Sequence, residues 1–199
     1  MSVRADFART MIAMGEFMGK GNSYEDTYRH AATLSETPEL RAIWNEMLVV
    51  AQQRQRSPLE VLEPHHALLG PWLIAVFNAG TLAGVESLWV KGGRTFLEVR
   101  QSFQSSSEAA TKGRALLRLM VSGIQIGMTR EFAVTASLEL VAMPELAGFA
   151  KCAEKSLSAA CQAFPDYFPS PLIDFLLQGE HQSPDDPYAA LETELSRSA

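Results

Sequence analysis

Cysteine is nearly absent from this chain, and with it the means of covalent bracing. Only Cys152 and Cys161 occur. The pattern around them predicts one helix carrying both, nine residues apart, which is a rotation of about 900° and a rise of about 13.5 Å. The sulfurs would then face opposite sides, beyond bridging range, so that helix excludes a disulfide. Free buried thiols suit a reducing compartment such as the cytoplasm. Positive charge is also in short supply. A net charge of −6 opposes general binding to phosphate backbones or anionic lipid, so nucleic acid is not expected as a partner. Long hydrophobic runs are missing too. The longest, Leu68 to Phe77, is ten residues interrupted by Gly70 and Pro71, about half of a membrane-spanning helix, and no direct membrane insertion is expected. Met1 to Gly15 has Arg4 and Arg9 but lacks the apolar block and cleavage site of a signal peptide.

What the chain does have is a repeated pattern. Gly21, Glu25, Pro38, Glu39 and Leu40 recur 106 positions later as Gly127, Glu131, Pro144, Glu145 and Leu146. Leu73, Ile74 and Gly80 recur 99 positions later as Leu172, Ile173 and Gly179, so the second copy is 7 residues shorter between the two groups. A period near half the chain marks a duplicated domain. With 199 residues, 47% of them apolar, two domains of about 100 residues can each bury a core.

Strand signals are scarce, and apolar residues recur at helical spacing almost throughout, which predicts an all-α fold. Phe7, Met11, Met14 and Met18 form one stripe that stops at Gly19 to Gly21. Ser23 opens the next helix with Asp26 at the capping-box position. Thr37-Pro38-Glu39 reads as a hydroxyl cap, a proline at the first position and an acid near the positive end of the dipole. Its stripe is Leu40, Ile43, Trp44, Met47, Leu48 and Ala51. Ser57-Pro58-Leu59-Glu60 repeats that grammar, Pro71 begins another helix, and a last one runs from about Gly84 to Phe103.

In the second copy Leu116, Met120 and Ile124 form the first stripe and Thr129 caps the second helix. Pro144 opens the third, which buries Leu146, Phe149, Ala153 and Leu157. Phe164 to Pro169 reads as a proline-stiffened aromatic turn, and Ser183 caps a final helix. The expected organisation is two antiparallel helical bundles of similar topology, residues 1–103 and 114–199, joined by a serine-rich linker at 104–113.

Candidate chemistry is thin. His65-His66, with Glu63 nearby, is the obvious metal or acid–base candidate, because imidazole titrates near neutrality and ligates zinc. Adjacent residues do not face one another, however, and neither Cys nor another His lies at ligand spacing nearby, so the pair reads more readily as a solvated loop. His30 and His181 stand alone. The acid pairs Glu25-Asp26 and Asp185-Asp186 occupy first helical turns, where capping accounts for them. Gly19-Lys20-Gly21-Asn22-Ser23 lacks the spacing and the preceding strand of a phosphate loop, and no nucleophile elbow occurs. No cofactor and no catalytic activity are expected. Met11, Met14 and Met18 could adapt to a helical partner or simply fill the core, and Arg54 and Arg56 could meet an acidic partner.

The order of elements resembles the cytoplasmic domain of type II secretion system F proteins and type IV pilus inner-membrane platform proteins. In the first copy the residues that carry it are Gly21, Ser23, Pro38, Leu40, Ser57, Leu59, Leu73, Ile74, Gly80 and Gly84. In the second they are Gly127, Thr129, Pro144, Leu146, Phe168, Pro169, Leu172, Ile173 and Gly179. The likeness covers roughly residues 5–103 and 114–197. It implies a non-enzymatic scaffold that docks onto the assembly ATPase and onto inner-membrane platform proteins, or onto a second copy as a homodimer. It also implies a cytoplasmic location, at the membrane face through those partners. Members of that family carry membrane helices between and after the two domains. Here a serine-rich connector and an end at Ala199 stand in their place, as in a soluble relative or in two cytoplasmic domains joined together. Ser183 stands where the family has a later glycine. The rival expectation is a ligand- or metal-binding bundle with its site near His65, His66 and Glu63.

Overall fold

A computed structural model describes residues 1–53, 57–169 and 171; among them the chain is all α, without a strand. No helix of the described residues is long and apolar enough to cross a membrane. The chain divides into two compact units, Met1–Glu98 and Val99–Ala199.

The first unit is built from α1 (Val3–Met18), α2 (Tyr24–Leu34), α3 (Pro38–Gln53), α4 (Pro58–Leu62), α5 (His66–Leu69), α6 (Pro71–Ala83) and the first part of α7 (Ser87–Ser105). The interrupted apolar run of the sequence becomes α6, because Gly70 at φ 87° turns the chain and Pro71 starts the helix without losing a donor. Trp72, Leu73, Ile74, Val76 and Phe77 on α6 are all buried. Also buried in this unit are Phe7, Met11 and Met14 from α1 and Leu40, Ile43, Trp44 and Met47 from α3. Rings continue through this core, with centroids 5.5 Å apart for Phe7–Trp44, 5.8 Å for Trp44–Phe77 and 4.7 Å for Phe77–Trp89. The Trp89 indole N–H donates to the Phe77 carbonyl at 2.8 Å. α7 approaches its neighbours through two glycines: a Cβ on Gly92 would collide with Val76, and one on Gly93 would lie 2.5 Å from the Ala8 carbonyl oxygen.

A buried carboxylate ties α1 to the turn before α3. Asp6 accepts from the Glu36 N–H at 2.9 Å, the Thr37 N–H at 2.8 Å, the Thr37 hydroxyl at 2.8 Å and the Arg9 guanidinium at 2.7 Å. Burial alone would raise its pKa, but the hydrogen bonds from Thr37 and Arg9 outweigh burial and hold it below the ordinary 3.8. Arg9 also donates to the Leu34 carbonyl at 2.6 Å, and Arg41 to that of Ser35 at 2.7 Å. The Thr37 hydroxyl, expected to cap α3, is therefore turned to Asp6.

The second unit comprises the rest of α7, α8 (Ala109–Gln125), α9 (Arg130–Val141), α10 (Ala147–Ala153) and α11 (Leu157–Gln162), with a 3-10 turn at Pro144–Leu146. Leu116, Leu117, Met120, Val134, Leu146, Phe149, Leu157 and Phe168 form its core. The single helix expected to hold both cysteines is in fact α10 and α11. Ser156 adopts an extended backbone and its hydroxyl accepts from the Ala159 N–H, so a new helix starts there. Cys152 is exposed and Cys161 buried, and no disulfide joins them. Phe164 to Phe168 forms the expected turn, closed by N–H donation from Tyr167 and Phe168 to the Phe164 carbonyl, both at 3.1 Å.

Local features recur at the 106-residue spacing. Gly21 at φ 86° and Gly127 at φ 98° end α1 and α8, donating to the carbonyls of Met18 and Ile124 at 2.8 and 2.9 Å. Ser23 and Thr129 then cap α2 and α9 through their hydroxyls. Leu40 and Leu146 are both buried, as are Ile43 and Phe149. The expected linker 104–113 differs: α7 runs through Ser105 and α8 begins at Ala109. Serine is only a mild helix breaker, and buried Phe96 and Val99 with half-buried Phe103 hold that stretch helical. Leu172, Ile173, Gly179, His181 and Ser183 lie outside the described residues.

Candidate functional site

The sequence candidates are not brought together. Glu63 and His66 are exposed and His65 is half-buried, on a 3-10 turn and the start of α5. Among the described residues no group of three or more His, Cys, Asp or Glu is placed to hold a metal ion, so Glu63, His65 and His66 do not form one. The imidazole of His30 stacks on Phe17, with centroids 4.4 Å apart. Met11 and Met14, considered as a partner face, are fully enclosed on the same stripe of α1 as buried Phe7, so they are not a free surface; Met18 is half-buried. Arg54 and Arg56 lie outside the described residues.

What the first unit does form is a cleft of about 370 Å³ lined by Tyr24 and Tyr28 of α2, Met47, Val50 and Ala51 of α3, Pro58 of α4 and Thr81 of α6. Helical spacing puts Tyr24 and Tyr28 on one face of α2, and their rings lie 6.2 Å apart. Tyr28 is buried and stacked against Trp44 at 6.3 Å, whereas Tyr24 is exposed at the rim. The Tyr28 hydroxyl is buried and has no hydrogen-bond partner among the described residues, an expensive condition for a phenol. Burial, and secondarily Tyr24, pushes its pKa well above 10, so it is neutral and keeps its proton. Tyr24 is raised as well, by burial and by Glu86. The Thr81 hydroxyl donates at 3.0 Å to the Phe77 carbonyl.

Next to this cleft is a smaller hollow of about 140 Å³ lined by Ser57, Pro58, Leu59, Phe77, Asn78, Thr81 and Leu82. Leu82 is 80% exposed and Leu59 41%, so water faces apolar side chains at its edge. Neither depression is legible in the sequence beyond the shared face of Tyr24 and Tyr28, because the walls come from four separate helices. Compared with protein-family models, curated proteins and solved structures, the chain matches none of them.

Proposed function

We propose that the chain is a non-enzymatic docking scaffold of a type II secretion or type IV pilus-like assembly system. Its partners are the assembly ATPase and inner-membrane platform proteins, met at the cytoplasmic face. The observation that carries this reading is the agreement between the residues behind the resemblance and local structural need. Gly21 and Gly127 sit at left-handed turns, Ser23 and Thr129 cap the helices that follow, and Leu40 and Leu146 anchor the next segment in each core. Gly84, another of those residues, ends α6 at φ 62°. A single module used twice accounts for these pairings. Exposed Leu59 and Leu82 beside the hollow supply the apolar contact a docking surface uses.

The test is binding between the purified chain and the purified assembly ATPase and platform cytoplasmic domains of the same organism, measured by biolayer interferometry. Saturable binding that Leu59→Glu with Leu82→Glu weakens at least tenfold is expected. Absence of binding to every one of these proteins refutes the reading.

A further inference from the structure

We draw no further inference here: the strongest candidate, the cleft between α2, α3, α4 and α6 in the first unit, carries nothing, because nothing in the structure shows what covers it and residues 54–56, between its lining residues Ala51 and Pro58, lie outside the described residues.

Discussion

Replacing Asp6 with alanine takes one acceptor group away from four donors at once. The N–H groups of Glu36 and Thr37 and the Thr37 hydroxyl lose their partner, and among the described residues Arg9 keeps the Leu34 carbonyl and Glu36 at 3.5 Å. A buried donor left unsatisfied costs about 1–3 kcal/mol, and breaking a buried ion pair from one side costs about 3–5 kcal/mol. Arg9 is about one-third exposed and water will screen part of its share. A loss of about 3–4 kcal/mol is therefore expected, which for a unit of this size lowers Tm by roughly 12 °C or more. Asp6→Asn keeps an oxygen for Glu36 and Thr37 but sets an amide against Arg9, and should cost about 1–2 kcal/mol.

The pH dependence has a fixed sign. Because the folded carboxylate titrates below 3.8, its contribution is complete above that value and is lost as pH falls through it toward the depressed folded pKa. Urea melts followed by circular dichroism at pH 7 and in steps from pH 5 to 2.5 provide the measurement. The stability difference between wild type and Asp6→Asn should shrink as the pH drops below about 4. A pH-independent difference, or Asp6→Ala within 0.5 kcal/mol of wild type, a margin typical of about neutral surface changes, refutes the clamp.

Gly93→Ala should destabilise the first unit by about 1–3 kcal/mol in urea melts even though alanine is the better helix former, because the new methyl meets the Ala8 backbone carbonyl. Trp89→Phe keeps an aromatic ring but deletes the donor to Phe77; a loss of about 1–2 kcal/mol by the same melts is expected. Phe168→Ala empties a fully buried site stacked 5.1 Å from Phe149 and should cost about 3–5 kcal/mol, read as a lowered calorimetric transition. Leu82→Glu, at a side chain already 80% exposed, should leave Tm unchanged within the error of calorimetry.

Features that depend on neighbours in the chain were legible in the sequence. Ser23, Ser57 and Thr129 cap the helices they precede, and Gly21 and Gly127 occupy left-handed turns, because cap and turn chemistry is set within a few residues. The buried side of α3 also followed from spacing, through Leu40, Ile43, Trp44 and Met47. Features that depend on distant partners were not. Asp6 has the sequence look of an ordinary first-turn acid, and only the approach of residues 36 and 37 makes it a clamp. The position of Asp6 corresponds to Lys112 in the second copy, where the turn instead passes through Ala142 at φ 50° and a 3-10 segment. The break at Ser156 was hidden for another reason: Ala153 and Leu157 remain buried on either side of it, so the periodicity reads straight through.

All three tryptophans, Trp44, Trp72 and Trp89, belong to the first unit, and each is fully shielded from solvent. Indole emission is thus a private optical channel for that half of the protein, dark to events among residues 99–199. Acrylamide quenching during denaturation would time the opening of the front half, while backbone ellipticity sums both, and any lag between the two traces would measure how independently the halves come apart.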